Sequence, residues 1–341
     1  MDQAVTIGLD IAKSVFQVHG VDRNGLVVAR RQVRRTQLLS FFAKLPACLV
    51  GIEACATAHH WARELTKLGH QVRLMPPSYV KPYVKRQKND AADAEAICEA
   101  VTRPTMRFVE VKSIEQQSIM VLHRVRLMLM RQRVQLSNAI RGHMAEFGLA
   151  APIGREGLGA LIRLILDNDE RVPAEARTCL TMLAAQLALI NDQILEADRR
   201  IRTSARATEI GRRLMDVPGV GPLLASALVA SIPEPKAFRS GRNLAAWIGL
   251  VPRQNSSGGK ERLGGITKQG DRYLRQLLVV GALAVVRYAQ RNGTRRPWLV
   301  QLLARRTTKV ATVALANKTA RIVWAIMTTG EAYREPILQT A

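Results

Sequence analysis

The chain has 341 residues, of which 48% are hydrophobic and 23% are charged, a composition typical of one or two folded globular domains. Its 51 Lys and Arg residues against 27 Asp and Glu residues give a formal net charge of +24, which indicates a polyanionic partner, above all nucleic acid. The sequence shows no signal peptide and no uncharged apolar run of roughly 18 residues. These features argue against a secreted or membrane protein and predict a cytoplasmic one.

The four cysteines, Cys48, Cys55, Cys98 and Cys179, form no close C-x-x-C pair. No histidine stands at a spacing suited to zinc. We therefore expect four reduced cysteines in the protein core.

The first part of the chain, residues 1–112, alternates strand-like and helix-like segments. VTIGLDI, SVFQVHG and LVVARRQV predict three consecutive strands, and CLVGIEA and QVRLM predict two more around the helix WARELTKLG. Hairpin strands followed by βα units are typical of an RNase H or RuvC-like mixed sheet with flanking helices. Together with the helical remainder of the chain, this predicts the fold class α/β plus α.

Four acidic residues in this first part form a pattern of their own. Asp10 lies inside the strand IGLDIA and Glu53 at the end of LVGIEA, where a buried carboxylate without a partner is costly. Asp90 and Asp93, in KNDAADAEAI, are three residues apart and so share one face of a predicted helix. Oxygen ligands without His or Cys suit Mg²⁺ or Mn²⁺, so the four acids predict a divalent-metal site. Each acid alone also fits a solvated surface, where Lys88 could neutralise the helical pair.

Residues 113–208 change to helical periodicity. Apolar residues recur at intervals of three and four in the segments 115–146 and 173–202, and the second run is a heptad seam. The connecting stretch FGLAAPIGREGLG predicts a glycine-containing loop. We expect a long antiparallel coiled-coil arm, which either packs within one chain or joins two protomers. The periodic positions are Ile119, Leu122, Val125, Leu129, Leu136 and Ile140, then Leu180, Leu183, Leu187, Ile190, Ile194, Ala197 and Ile201.

The C-terminal part is predicted to be mainly helical over residues 209–330, followed by a tail at 331–341. MDVPGVGPLLASALVASI is typical of a helix-hairpin-helix-like segment with a P-G-x-G turn. Backbone N–H groups at Gly219 and Gly221 could hold a DNA phosphate there. Similar glycines also serve only for a tight bend, so both interpretations stay open.

A second candidate site lies in WIGLVPRQNSSGGKERLGGITKQGDRYLRQLL. Ser256 and Ser257 stand among glycines, which let a backbone approach a phosphate closely. A serine nucleophile here would form a phosphoserine ester and conserve the energy of the broken phosphodiester for rejoining. SSGG is also typical of a flexible polar loop, and no histidine stands nearby in the sequence as a general base. The surrounding cations are Arg253, Lys260, Arg262, Lys268, Arg272 and Arg275.

Taken in order, these motifs resemble the DEDD-type transposases of the insertion-sequence IS110 family, which includes the Piv-like DNA invertases. The resemblance covers nearly the whole chain, from GLDIAK, GIEA and KNDAADA through the helical arm and VPGVG to PRQNSSGGKERLGGITKQGDRYLR. It implies a bacterial site-specific DNA recombinase. Its expected parts are a RuvC-like catalytic domain at 1–112, the coiled-coil arm at 113–208 and a transposase domain at 209–330 that contributes a nucleophilic serine.

The resemblance also implies roles for individual residues. Ser257, which precedes a glycine, would be the nucleophile, with Ser256 as the alternative one position earlier. A structured noncoding bridge RNA would guide the enzyme by pairing with donor and target DNA, and cutting two DNA molecules would require a dimer or tetramer. The expected catalytic metal ligands, for Mg²⁺ or Mn²⁺, are Asp10, Glu53, Asp90 and Asp93. The expected nucleic-acid contacts are Lys88, Arg253, Lys260, Arg262, Lys268, Arg272, Arg275, Gly219 and Gly221.

Three other classes of protein fit part of the pattern. A RuvC-like Holliday-junction endonuclease would use the same acids to activate water without a covalent intermediate, which leaves the serine loop unexplained. An actin-like kinase also begins with a strand containing GLD, but it predicts a second phosphate loop and an adenosine motif that we do not find. A purely structural nucleic-acid-binding protein would explain the charge but not an acid inside the first strand.

Overall fold

A computed structural model describes residues 4–85, 89–293 and 296–335 of the chain. The chain divides into two compact units, Met1–Ile114 and Glu115–Ala341. The first unit contains a mixed α/β sheet, as predicted, and the second unit is mainly helical. The finer division at residues 112, 208 and 330 stays a prediction.

The first unit is built on a sheet with both antiparallel and parallel strands. Its strands are β1 (Thr6–Asp10), β2 (Val15–Val21), β3 (Val27–Arg34), β4 (Leu49–Glu53) and β5 (Gln71–Met75), and its helices are α1 (Leu38–Phe42), α2 (Ala58–Lys67), α3 (Pro77–Val80) and α4 (Asp90–Val101). The strand order is β3-β2-β1-β4-β5. β1, β2 and β3 are antiparallel neighbours, whereas β4 is parallel to β1 and to β5. This sheet fits a DEDD nuclease-like domain.

The two faces of this sheet are covered by different helices. Ile7 and Leu9 of β1 are buried in a core that includes residues of α1 and α2. Because side chains alternate along a strand, Gly8 and Asp10 lie on the opposite face. α4 packs against β1, β2 and β4 and forms a second core with Met75 of β5. The face that carries Asp10 is therefore the one that α4 covers.

In its described residues, the second unit consists of helices and a β-hairpin. Its helices are α5 (Ile114–Glu146), α6 (Arg155–Leu166), α7 (Ala174–Ala207), α8 (Glu209–Met215), α9 (Pro222–Ser231), α10 (Gly241–Ile248), α11 (Arg272–Asn292), α12 (Pro297–Arg305) and α13 (Thr308–Thr329). The strands β6 (Pro252–Gln254) and β7 (Leu263–Ile266) pair in antiparallel fashion. The sequence pattern did not predict this hairpin.

The two long helical segments correspond to α5 and α7. Ile190 and Ile194 of α7 form an apolar cluster with Leu129 of α5. Val125 of α5, one of the predicted periodic positions, is 40% exposed. The two helices therefore pack together over part of their length, and the coiled-coil arm stays a prediction.

The predicted loop FGLAAPIGREGLG is wrong from Arg155 onward, because α6 begins there. Gly157 suggested a loop, but it lies in α6 and lets the helix pack closely against Pro152, which precedes the helix. A Cβ at Gly157 would lie 1.9 Å from the carbonyl oxygen of Pro152. Leu161 and Ile165 of α6 then pack into a core shared with α5 and α7.

The four cysteines are free, but they do not all lie in the core. Cys48 and Cys98 are buried, whereas Cys55 and Cys179 are exposed. The prediction of four core cysteines is therefore wrong for Cys55 and Cys179. Cys55 follows the end of β4, and Cys179 lies on the solvent side of α7.

Among the described residues, the helices α7 and α13 are long and apolar enough, by length and composition alone, to cross a membrane. The core helices of a folded domain meet the same criterion. Ala316, Ala320 and Val323 of α13 are buried in the core of the second unit. A cytoplasmic location stays a prediction.

Candidate metal centre and serine hairpin

Asp10 and Glu53 end two neighbouring parallel strands. Leu9 of β1 pairs with Ile52 of β4, so the residues that follow them are adjacent at the carboxyl ends of the strands. Residues in register on parallel strands point to the same face of a sheet. Asp10 and Glu53 are both half-buried, and both lie on the face that α4 covers.

Two glycines let α4 approach this face closely. Gly8 and Gly51 stand two residues before Asp10 and Glu53 and therefore point to the same face. A Cβ at Gly8 would lie 2.1 Å from the carbonyl oxygen of Ala94, and one at Gly51 would lie 2.8 Å from the Cβ of Val101. A side chain at either position would push α4 away from the sheet. The sequence-based prediction missed these glycines, although the shared pattern glycine-x-acid in GLD and GIE marks both.

The N-terminus of α4 carries the other two acids. Asn89 caps the helix, because its side-chain oxygen accepts a hydrogen bond from the N–H of Ala92 at 2.8 Å. Asp90 and Asp93 follow in the first turn, where negative charge is favoured by the helix dipole. The stretch NDAAD thus starts the helix and also places two carboxylates at the strand ends.

Asp10, Asp90 and Asp93 come together at the end of β1. One carboxylate oxygen of each lies within 4.8 Å of the others. Glu53 does not belong to this closest group, but its charge acts on Asp10. Burial, followed by the charges of Asp93, Asp90 and Glu53, raises the pKa of Asp10 to about 6. The structure therefore concentrates negative charge around Asp10.

Glu95, on the same helix, has cationic neighbours that the cluster does not have among the described residues. Glu95, farther along α4, accepts a hydrogen bond from Lys85 at 2.5 Å and lies 3.9 Å from Arg30. Over the described ranges 4–85, 89–293 and 296–335, Asp10, Asp90 and Asp93 form no ion pair. The three carboxylates are therefore suited to bind an added cation.

The donor set fits a hard divalent cation. Carboxylate oxygens without His or Cys are typical ligands of Mg²⁺ and Mn²⁺. Oxygens bound to Mg²⁺ at about 2.1 Å can be at most about 4.2 Å apart. Small side-chain rotations from the observed separation of up to 4.8 Å would close the cluster around one ion.

Ser257 lies at the tip of the β6–β7 hairpin. Its carbonyl oxygen accepts a hydrogen bond from the N–H of Lys260 at 3.1 Å. Between them, Gly258 and Gly259 have φ angles of +56° and +74°. Two successive positive φ angles in a two-residue hairpin turn favour glycine strongly. The glycines of SSGG thus have a defined role in a tight turn.

The two adjacent serines differ in their hydrogen bonds. Ser256 Oγ accepts a hydrogen bond from the N–H of Arg262 at 3.2 Å. The hydroxyl of Ser257 has no hydrogen-bond partner in the part of the chain that the structure describes, and the residue is exposed. Of the two hydroxyls, only that of Ser256 is engaged in a hydrogen bond within the described residues.

The predicted nucleic-acid contacts fall into different structural settings. Arg275 donates from Nη1 to the carbonyl oxygens of Ile248 at 2.7 Å and Gln269 at 3.0 Å, so it holds the segment before α11 against α10. Lys88 lies outside the described residues. The remaining cations are exposed on or beside the hairpin: Arg253, Lys260, Arg262, Lys268 and Arg272.

The two glycines of the P-G-x-G turn also differ. Gly219 has a φ of +89° and packs against α11, where its added Cβ would lie 2.9 Å from the carbonyl oxygen of Gly281. Gly221 precedes α9 in open space. Close packing alone accounts for Gly219, and phosphate binding at either glycine stays a prediction.

The mixed sheet and its acidic cluster define a nuclease-like domain that is suited to divalent-metal chemistry. A DEDD-type IS110 transposase family model matches residues 7–148, and a model described as "Transposase IS116/IS110/IS902 family" matches residues 211–296. The chain belongs to this family of insertion-sequence transposases, which are enzymes that cleave and rejoin DNA.

Relatives match almost the full length of the chain. A Pseudomonas aeruginosa protein described as "Probable family 20 transposase" is 51% identical and aligns over 96% of this chain and 98% of its own length. The transposase for insertion sequence element IS1111A of Coxiella burnetii is 41% identical over 96% of this chain and 91% of its own. The transposase for IS1328 of Yersinia enterocolitica is 39% identical, with coverage of 98% and 99%.

Proposed function

We propose that this transposase cuts DNA with Ser257 as the nucleophile and with divalent metal held by the four acids. The observation that carries the proposal is the convergence of Asp10, Asp90 and Asp93 within 4.8 Å at a strand end beside Glu53. The exposed hydroxyl of Ser257, which has no hydrogen-bond partner among the described residues and lies in a cationic hairpin, supports the choice of nucleophile. The metal is proposed to be Mg²⁺, with Mn²⁺ as a substitute.

The proposed reaction is a transesterification. Ser257 Oγ bonds to the scissile phosphorus as the bond from phosphorus to one DNA oxygen breaks. The serine hydroxyl loses its proton, and the departing DNA oxygen gains one. A hydroxyl of the second DNA then attacks the phosphoserine and releases the serine, so the number of phosphodiester bonds is conserved. Bound metal would offset the negative charge that develops on the phosphate oxygens.

The proposed partners are donor DNA, target DNA and a structured noncoding bridge RNA. The net charge of +24 supports polyanionic partners in general. The turn between α8 and α9 is proposed as a helix-hairpin-helix-like contact to the DNA backbone, with hairpin cations adding phosphate contacts.

We further propose that α5 and α7 form a coiled-coil arm that joins protomers into a dimer or tetramer. Val121, Val125 and Met128 of α5 follow spacings of four and three, and they are 55%, 40% and 50% exposed. An exposed apolar stripe with this period is typical of a helix that packs on a partner helix.

The proposed function is tested by incubating the full chain with Mg²⁺, RNA transcribed from the flank of its insertion element and DNA that carries the element junction. A denaturing gel then detects a DNA adduct that protease removes. We expect Ser257→Ala and Asp10→Ala to reduce the adduct roughly a thousandfold or more, because each removes an essential chemical group. Ser256→Ala is the matched control and should retain it.

Two results would change the proposal. If both serine variants still cleave DNA and no adduct forms, the serine mechanism is wrong. The protein would then be a junction endonuclease that cleaves DNA by metal-dependent hydrolysis. Equal adduct formation with and without the RNA would remove the guide RNA from the proposal while leaving the serine chemistry in place.

A further inference from the structure

A groove of about 800 Å³ lies in the second unit between the β6–β7 hairpin and α13. Pro252 and Ile266 of the hairpin line one side, and Val310, Val313 and Ala314 of α13 line the other. The volume falls within the range of small-ligand sites, roughly 300 to 1,000 Å³. A groove of this volume can hold a group the size of one nucleotide base and is too small to enclose a double helix.

The polar residues of this groove are cationic. Arg253, Lys268 and Lys309 line it, whereas no acidic residue among those described does so. Asn317 also lines the groove and donates from Nδ2 to the carbonyl oxygen of Leu250 at 3.0 Å, which fixes its amide. The groove thus combines an apolar surface with a positive one.

The backbone of Lys268 is held in an unusual conformation. Its φ angle is +56°, which is unfavourable for a residue with a Cβ. Its N–H donates to the carbonyl oxygen of Gly249 at 3.1 Å, so the surrounding fold maintains this conformation. A lysine kept in a costly conformation beside a groove is consistent with a binding role for its ammonium group.

A nucleotide has the two properties that this groove requires. Its base is flat and largely apolar on both faces, and its phosphates are anionic. A base reaches such a groove only when it is unpaired and out of the helical stack. Apolar contact with the base and cationic contact with the backbone are the general features of single-strand binding sites.

We propose that the groove binds one unpaired nucleotide of the DNA close to the cleavage site. Its base packs against Ile266, Val310 and Val313, and its phosphates contact the three cations. Ser257 follows Arg253 by four positions along the hairpin, roughly 13 Å at a rise of 3.3 Å per residue. The nucleotide would therefore be near the phosphate that Ser257 attacks. The identity of the ligand as DNA rests on the proposed function.

The test measures binding of the full chain to a fluorescein-labelled oligothymidine, an oligouridine of equal length and a matched DNA duplex by fluorescence anisotropy. Val310→Glu places a carboxylate in the groove at a position that is 50% exposed. Val300→Glu, on α12 outside the groove and also 50% exposed, is the control for charge and folding. Gly265→Leu fills the groove without a change of charge, since its added Cβ meets no atom within 4 Å.

We expect Val310→Glu and Gly265→Leu to weaken oligothymidine binding about tenfold or more, and duplex binding at most about twofold, because base contacts are lost. Val300→Glu should change both affinities by no more than about twofold. The inference is overturned if Val310→Glu weakens oligothymidine no more than Val300→Glu does and Gly265→Leu binds like the wild type. It is also overturned if only oligouridine binding responds, since the occupant would then be RNA.

These outcomes are separable from the fate of the serine chemistry. A groove effect in a chain that forms no adduct would support the groove and contradict the proposed function. An adduct that requires Ser257, together with unchanged oligothymidine binding in both groove variants, would contradict the groove inference alone.

Discussion

The ionised carboxylate of Asp10 is less favourable in the folded chain than in the unfolded chain. An aspartate in an unfolded chain has a pKa of about 3.9, whereas burial and the neighbouring carboxylates raise the pKa of Asp10 to about 6 in the folded chain. The folded chain therefore binds more protons than the unfolded chain between these values. Without metal, the contribution of Asp10 to the free energy of unfolding therefore decreases as the pH rises from about 4 to about 6.

We predict that Asp10→Asn stabilises the metal-free chain at neutral pH by about 1 kcal/mol, because it removes a carboxylate that its neighbours repel and solvent only partly screens. Thermal unfolding in EDTA measures this gain, which should disappear when the pH is lowered to about 4. Mn²⁺ should raise the melting temperature of the wild type but not of Asp10→Asn. Asp192→Asn, on the exposed side of α7, is the control, and an equal Mn²⁺ response in Asp10→Asn would contradict the metal site.

Gly51 should position the acids through its contact with Val101. We predict that Gly51→Ala costs about 1 to 3 kcal/mol by overpacking and weakens Mn²⁺ binding, measured by electron paramagnetic resonance of the free ion. Gly51→Ala combined with Val101→Gly should recover much of the affinity, since the added Cβ would lie 2.8 Å from the Val101 Cβ that is removed.

Val101→Gly alone is the control for that pair. Recovery of stability without recovery of Mn²⁺ affinity would show that Gly51 supports the fold but does not position the acids. Gly8→Ala should have no comparable rescue, because its nearest neighbours are the backbone atoms Ala94 O and Cys98 N at 2.1 and 2.4 Å.

At the scale of elements, a buried polar network joins three helices of the second unit. His123 of α5 is 1% exposed, with Nδ1 at 2.9 Å from the hydroxyl of Tyr273 and Nε2 at 3.1 Å from that of Ser226. Burial and the nearby charge of Arg126 lower the pKa of His123 to about 4. The ring is thus neutral near pH 7. Its two hydrogen bonds connect α5 to α9 and to the first turn of α11, the helix that follows the β6–β7 hairpin.

We predict that His123→Leu destabilises the chain by about 2 to 3 kcal/mol, because it leaves the buried hydroxyl of Ser226 and the half-buried hydroxyl of Tyr273 without their partner. Adding Tyr273→Phe and Ser226→Ala should recover part of this loss. An unfolded histidine has a pKa of about 6.5, above the folded value, so this group should reduce wild-type stability as the pH falls from about 6.5 to about 4. Urea unfolding across that range should show a weaker pH dependence in the triple variant, and an unchanged dependence would contradict this account of His123.

Helices and strands could be predicted from the sequence where their apolar residues recur at a regular spacing. Alternation in VTIGLDI and SVFQVHG predicted β1 and β2 because the larger apolar side chains of each strand, Ile7 and Leu9 in β1 and Phe16 and Val18 in β2, lie on one face. β6 was missed because its three residues, Pro252, Arg253 and Gln254, are all exposed and so show no alternation. α6 was missed because Gly157 signals a loop locally, whereas its role comes from a contact with Pro152 that only the folded chain contains.

At the scale of the whole molecule, the candidate metal site depends on contacts between distant parts of the sequence. The acids themselves were recognisable because they stand at strand ends and on one helix face. Their separation was not predictable, since it depends on how α4 packs over Gly8 and Gly51. Asp90 and Asp93 lie closer to Asp10 than Glu53 does. This difference also depends on where α4 lies, and the order of the motifs in the sequence does not give it.

The central claim is that a serine of the hairpin becomes covalently joined to DNA. Trypsin should release residues 254–260 of the hairpin as one peptide, because Arg253 and Lys260 are its flanking cleavage sites. The most direct measurement is mass spectrometry of that peptide after nuclease and trypsin digestion of the Mg²⁺-dependent adduct. We predict a nucleotide phosphate on Ser257 in the wild type and its absence in Asp10→Ala. A nucleotide on any other residue, or cleaved DNA with an unmodified peptide, would contradict the account.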